Sequence, residues 1–361
     1  MQIDQSYAAN RNNFRDAADR SGARLKSIPH ISGNDLYTDI ALLGDETAKH
    51  VVVITSGLHG VELPAGSLAQ QILMSKLRPE HLKDTRYVLV HALNPYGAAH
   101  ALRTDMDDQG GRNIDPARNF INFETFDRTL FQADLRIASA FDRAELSSGS
   151  LTTMWARLLY TAFVEQGQNE FKRQFVRGQY SNPILPYYGG GRPSCTRLTW
   201  EKIIEEDIFK PHVETITHFD VHTGDGPFGG LQHYLCNKAG PHTKELCLRL
   251  TTPDKIKTTD DYFAEVIGDI GDHWAEFPEV KGKTIFPVTL EFGTTQARIP
   301  GIDVLGAILN RTLLAEKYGD THPNKEDIIR KMRTAFTPTQ EDWAYAVIAQ
   351  CHDLWDKFLK L

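Results

Sequence analysis

An α/β fold is what this chain predicts, and three observations predict it. Residues 51–54 (VVVI) form an apolar run that stops at the small residues Thr55, Ser56 and Gly57. Residues 63–77 (LPAGSLAQQILMSKL) put Leu68, Ile72, Leu73 and Leu77 on one helical face. Residues 86–93 (RYVLVHAL) form a second apolar run. A buried strand, a helix and a second buried strand make one crossover unit of a sheet. If the two strands are parallel, that crossover is right-handed.

The remaining elements follow in order. Residues 5–26 read as a surface-tolerant helix with Phe14, Ala17, Ala18 and Leu25 inward, and 36–44 (LYTDIALLG) as a strand. Asn94-Pro95-Tyr96-Gly97 is a turn, followed by Arg103, the polar stretch TDMDDQGGRN and the segment 114–120. Residues 128–178 read as helical, most clearly 151–175. The Gly- and Pro-rich stretch 180–197, with Tyr187, Tyr188 and Gly189-Gly190-Gly191, is a long ordered loop or lid. A helix follows over 198–209, then strands over 215–224 (TITHFDVHTG) and 284–294 (TIFPVTLEFGT). Helices over 301–318, 326–334 and 341–361 close the chain, the last with Trp343, Val347, Cys351 and Leu354 on one side.

Composition narrows the function. At 361 residues the chain suits one large or two small domains. Apolar content of 41% and charged content of 24% are ordinary for a globular protein. A net charge of −7 argues against a nucleic-acid partner and gives no membrane-surface signal. The start has early acidic residues and no apolar segment, so no signal peptide is expected, and no run approaches a membrane span. Cys195, Cys236, Cys247 and Cys351 are scattered with no CxxC pair, which reads as free thiols and not as a metal cage. A cytoplasmic protein is the expectation.

The chemistry gathers where strands end. His59 and Glu62 follow the strand 51–54 at the opening of a helix, where side chains three apart project to one side. His222, on the same strand face as Asp220, precedes Thr223-Gly224, and Glu291 precedes Phe292-Gly293. In an open α/β sheet, ligands bind beyond the carboxyl ends of the strands. Ionised carboxylates are costly to bury there without a partner, and a zinc ion held by two His and one Glu removes that cost.

The ordered set is H-x-x-E (His59, Glu62), N-P-x-G (Asn94, Pro95, Gly97), Arg103, D-x-x-R-N-F (Asp115, Arg118, Asn119, Phe120), D-x-H-T-G (Asp220, His222, Thr223, Gly224) and E-F-G (Glu291, Phe292, Gly293). It resembles the zinc carboxypeptidase superfamily, typified by carboxypeptidase A, and the runs GQYSNPILPYYGG and HTGDGPFG are similar to a bacterial branch of it. The resemblance implies a single domain over 1–361, with a central mixed, mostly parallel sheet, helices on both faces and a helical and loop insertion at about 121–198. It implies one Zn²⁺ on His59, Glu62 and His222, with Glu291 as general base. Arg103 would stabilise the oxyanion. Arg118 would clamp a substrate carboxylate, with Asn119 beside it and Tyr262 as one choice for the residue that closes over substrate. Arg112 competes with Arg103, which is favoured because it follows NPxG closely. Asp220 either orients His222 or bonds backbone, Asp225 is a turn former or meets a basic group, and His218, His233 and His242 have no matched position.

The activity implied is hydrolysis of amide bonds in small or modified peptides bearing a free carboxylate. Ala117 stands where the superfamily usually has Asn before the clamping Arg, so an aspartoacylase-like deacylase of N-acyl amino acids is the second reading. A third, a ligand-binding relative without activity, is opposed by the complete set of ligands and base.

Overall fold

The computed structural model describes residues 3–361 except 166, 168, 169, 172, 174–176, 259, 260, 262–264 and 297–300. Among these, the strands are β1 (Arg24–Pro29), β2 (Tyr37–Gly44), β3 (His50–Ser56), β4 (Thr85–His91), β5 (Thr215–Pro227), β6 (Leu231–Tyr234), β7 (Ile256–Lys257) and β8 (Thr284–Thr295). They form one mixed sheet in the order β1-β2-β4-β3-β5-β8-β6-β7. The four central strands, β4, β3, β5 and β8, are mutually parallel, while β2 runs antiparallel to β1 and β4, and β6 antiparallel to β8.

Parallel central strands covered on both sides should be apolar on both faces. They are, and alternation sorts the residues. Val52 and Ile54 of β3 join Phe219, Val221, Trp343 and Trp355 in one core, beneath helices Tyr7–Arg20, Leu63–Lys76 and Glu341–Phe358. Val51 and Val53 join Val88, Val90, Trp200 and Trp274 in the core on the opposite face.

The crossover helix spans Leu63–Lys76, and its flanking strands β3 and β4 are parallel neighbours. The central register then sets the site. Ser56 of β3 pairs with Val221 of β5, and His222 pairs with Glu291 of β8. Three strands therefore end side by side.

Several element boundaries differ from expectation. The first helix is Tyr7–Arg20 and not 5–26: the chain turns at Gly22 (φ +73) and enters β1, an edge strand too exposed to give an apolar run. β6 and β7 are four and two residues long, below what periodicity detects. The stretch 128–178 is not continuous helix but includes Leu135–Asp142, Ser148–Tyr160 and a π turn Thr161–Glu165, packed with helix Ile302–Tyr318 around Phe141, Leu158 and Leu313. Among the described residues no helix is long and apolar enough to cross a membrane.

Candidate active site

The turn after β3 carries His59 and Glu62. Gly57 takes a left-handed φ of +67, and His59 opens a short 3₁₀ turn, Gly60–Glu62. A Cβ on Gly60 would stand 2.0 Å from the Ala98 backbone nitrogen, so only glycine lets this turn lie against the helix Pro95–His100. Asn94 caps that helix by accepting from Gly97 N–H (2.8 Å), and its amide donates to the carbonyls of Arg103 (3.4 Å) and Thr104 (3.1 Å). The NPxG motif thus ties the turn bearing His59 to the segment bearing Arg103.

Two imidazoles converge on one carboxylate. His59 Nδ1 lies 2.9 Å from Glu62 Oε1, and His222 Nδ1 lies 2.9 Å from Glu62 Oε2. The rings meet edge to face with centroids 5.0 Å apart, and ligand atoms of all three residues lie within 4.8 Å of one another. Thr223 N–H donates to Glu62 Oε2 (3.1 Å) and holds it in place.

Behind each imidazole stands a further carboxylate: Asp115 Oδ1 at 3.1 Å from His59 Nε2, and Asp220 Oδ2 at 2.6 Å from His222 Nε2. For His222 the arrangement extends through the sheet. Trp274 Nε1–H, which can only donate, gives to His218 Nδ1 (3.0 Å). His218 is neutral, since burial pushes it down to about 4, so its one proton sits on Nε2 and goes to Thr55 Oγ1 (2.9 Å). Thr55 in turn donates to Asp220 Oδ1 (2.5 Å), leaving Oδ2 to accept from His222 Nε2–H. The whole buried chain runs one way and puts a proton on His222 Nε2, so that Nδ1, 2.9 Å from Glu62 Oε2, is the nitrogen an ion would take.

This donor set fits a metal. Two imidazole Nδ1 atoms and a carboxylate are the His₂Glu donor set of catalytic zinc, and carboxylates on the opposite ring nitrogens are their usual support. Among the described residues His59 Nδ1 is buried with no hydrogen-bond partner despite its short distance to Glu62, as expected of a nitrogen aimed at a cation.

Charge is concentrated here. Burial alone would raise Glu62, but His59 and Arg103 hold it well below the usual carboxylate range. Arg103 Nη1 donates to Glu62 Oε1 (2.5 Å), Nη2 approaches His59 Nε2 (2.9 Å), and its Cζ lies 5.5 Å from the Phe336 ring. Arg112 is exposed and outside the cavity, so Arg103 is the arginine at the site. Glu291 lines the same cavity; burial and the nearby Glu62 push it up to about 8, and Oε1 accepts from Asp225 N–H (2.9 Å).

The cavity, about 230 Å³, continues from the triad to Arg118. This guanidinium is buried, gives Nη1 to the Ala117 carbonyl (2.9 Å) and leaves Nε with no partner among the described residues. Tyr187 stands between the two arginines, with Arg103 Cζ 5.8 Å and Arg118 Cζ 5.9 Å from its ring centroid. Its φ of +59 is a left-handed conformation that tyrosine seldom adopts, a strain common where backbone shapes a site. Asp269, on the far wall, is pushed up to about 6 by burial and by Asp272.

Not every expected residue is present. Asn119, placed at the substrate by sequence, is fully buried and turned away from the cavity. Its amide donates to Gly189 O (2.8 Å) and Arg192 O (2.9 Å), and its Oδ1 accepts from Ser194 N–H (2.7 Å). With every polar atom used to pin the 180–197 loop, it has none left for a ligand. Tyr262 lies outside the described residues. Asp115, Tyr187 and the Thr55–His218–Trp274 chain were not assigned from sequence. Asp115 carried a signal there, its place in D-x-x-R-N-F, and Tyr187 a weaker one, its place on the Gly- and Pro-rich loop.

The chain belongs to the family described as "Protein of unknown function (DUF2817)", whose model matches residues 4–350. No curated protein matches it. Among solved structures it is similar to carboxypeptidase A from Helicoverpa armigera, at 12% identity over 95% of this chain and 73% of that one, with a TM-score of 0.49. It is also similar to bovine thrombin-activatable fibrinolysis inhibitor in complex with tick carboxypeptidase inhibitor, at 10% identity over 98% and 97% of the two chains, TM-score 0.47. A third is a metallo-carboxypeptidase from Pseudomonas aeruginosa in complex with (2-guanidinoethylmercapto)succinic acid, at 10% identity over 90% and 67%, TM-score 0.40.

Proposed function

We propose that this member of the DUF2817 family is a zinc-dependent hydrolase of amide bonds, a carboxypeptidase-like peptidase acting on small or modified peptides. The observation that carries the reading is the convergence of His59 Nδ1 and His222 Nδ1 on Glu62 in the cavity that also holds Glu291. His59, Glu62 and His222 would hold the ion, which when bound supplies Lewis acidity and makes water acidic enough to react near neutral pH.

The chain's own groups do the rest. Glu291 takes the proton of the attacking water and returns it to the leaving amine, work suited to a carboxyl whose affinity for protons is raised into the neutral range. Arg103 faces the developing oxyanion with a charge it cannot lose. Arg118, buried with a free Nε, receives a substrate carboxylate. Asp115 and Asp220 keep protons on the Nε2 atoms, so both Nδ1 lone pairs stay available. A proton on His59 Nε2 would direct that nitrogen to Asp115 and displace Arg103 Nη2, 2.9 Å away, toward the substrate.

One observation favours a second reading, deacylation of N-acyl amino acids: Ala117 lines the cavity beside Arg118 and offers no side-chain donor to a second carboxylate oxygen. A hydrolysis panel separates the two, with release of a C-terminal amino acid from blocked dipeptides set against release of a carboxylic acid from N-acyl amino acids. Glu291→Gln is expected to lose turnover on whichever set is cleaved, by at least about 10²-fold, while metal content is kept. Full activity in this variant would remove Glu291 as the base.

A further inference from the structure

A second cluster of ligand-type side chains lies apart from the site above. His30, at the end of β1 beyond Pro29, Asp105, beyond the NPxG turn, and Cys195, the first residue of helix Cys195–Ile203, are 7%, 1% and 6% exposed. One ligand atom from each lies within 4.8 Å of the other two. We propose that His30 Nε2, Asp105 Oδ1 and Cys195 Sγ supply three ligands of a second site for a divalent transition-metal ion, zinc by its donor set.

Geometry separates this reading from an ordinary buried His–Asp pair. His30 Nε2 and Asp105 Oδ1 are both buried with no hydrogen-bond partner among the described residues, although they stand 3.4 Å apart. An N–H···O bond closes to about 2.7–3.2 Å. Two ligands each about 2.0–2.1 Å from a tetrahedral zinc are held roughly 3.3–3.4 Å apart. At 3.4 Å the pair lies outside the hydrogen-bond range and leaves room for an ion between its two atoms.

The other atoms of these residues are already engaged. Asp105 Oδ2 accepts from both Thr196 N–H and Thr196 Oγ1–H at 2.7 Å, so Oδ1 alone is left over. His30 Nδ1 accepts from Ser32 N–H (3.2 Å) and has the Ser32 hydroxyl at 2.8 Å; an ion at Nε2 would move the ring proton to Nδ1, where that hydroxyl can take it. The imidazole also stacks on Tyr96, with centroids 5.9 Å apart. Thiolate with imidazole is a donor pair that suits zinc over magnesium or calcium. Binding would release the Cys195 thiol proton to solvent and leave a thiolate on the ion.

The ion would join three distant segments: the β1–β2 turn, the loop that leads from Asp105 to Asp115 and Arg118, and the helix behind the 180–197 loop. Its effect on the catalytic cavity would be to brace the loop that carries Asp115 and Arg118.

Cobalt replacement tests this. The full-length chain is stripped of metal and reloaded with Co²⁺, and both stoichiometry and the near-ultraviolet spectrum are read. His59, Glu62 and His222 include no thiol, so a thiolate-to-cobalt charge-transfer band cannot come from the catalytic site, and Cys236→Ser, at the other thiol-bearing cluster (Cys236, Asp269, Asp272), should keep it. The expected result is two Co²⁺ per chain with the band present in the wild type. His59→Ala should bind one and keep the band, and Cys195→Ser should bind one and lose it. A wild type without the band overturns the proposal, and so does a band that survives Cys195→Ser. Should Cys195→Ser fail to fold, the wild-type and His59→Ala spectra decide alone. Loss of hydrolysis with the band retained would count against the proposed activity and not against this site.

Discussion

Glu62 uses both oxygens: Oε1 receives Arg103 and faces His59, while Oε2 receives Thr223 N–H and faces His222. No neutral side chain could balance two imidazoles and a guanidinium there. Arg118 differs, because its buried guanidinium has a free Nε and faces the cavity. Arg118→Ala is therefore expected to raise KM for substrates with a free carboxylate by about 10–100-fold, the size of a lost charged hydrogen bond, with kcat little changed. Steady-state kinetics on carboxylate and amidated substrate pairs check this; an effect confined to kcat would assign Arg118 another role. The hydrogen-bond chain to His222 starts at Trp274, which alone sets its direction. Trp274→Phe removes that N–H and is expected to weaken zinc binding about 10–100-fold with circular dichroism unchanged. Chelator competition measures it, and unchanged affinity would mean that Asp220 alone orients the ring.

At the scale of elements, the site is built from strand ends and the turns that follow them. The turn after β3 needs Gly60 because the Gly97–Ala98 backbone lies against it. Gly60→Ala is expected to destabilise the protein by about 3 kcal/mol, the upper part of the range for overpacking, since the clash is with backbone that cannot rotate away. Urea denaturation gives the value, and a change within about 0.5 kcal/mol would show that the turn can move. The NPxG turn was legible as a turn from Pro and Gly, and its task of holding Arg103 became visible only in contact. The 128–178 stretch was misread as continuous because its helices are separated by residues with no strong breaker, whereas β1 was missed because an exposed edge strand has no apolar pattern.

For the whole molecule, buried histidines make stability depend on pH. Burial pushes His91, stacked on Phe14, down to about 3 and His233 down to about 4, from an ordinary 6.5. Both are neutral in the folded chain, while the unfolded chain binds protons on them below pH 6.5. Their contribution is complete above that pH and falls as pH drops toward the folded values. Between pH 6.5 and 5 each should cost about 2 kcal/mol of stability. Urea unfolding at pH 7.5 and 5 should show this loss, and His91→Gln should reduce it by about that amount. An identical difference in wild type and variant would mean that His91 is already protonated in the fold.

The sequence by itself determined which residues stand at the ends of β3, β5 and β8, because apolar runs and the glycines after them are local signals. It thereby placed His59, Glu62, His222 and Glu291 where parallel strands could bring them together. Only the tertiary structure decided what stands behind them: Asp115 against His59, the path from Trp274 to His222, the inward turn of Asn119, and the meeting of His30, Asp105 and Cys195. Periodicity records whether a residue faces the core. A hydrogen-bond partner is chosen by how segments far apart in the chain pack, as Thr55 and His218 do across 163 positions, and no pattern within either segment encodes that.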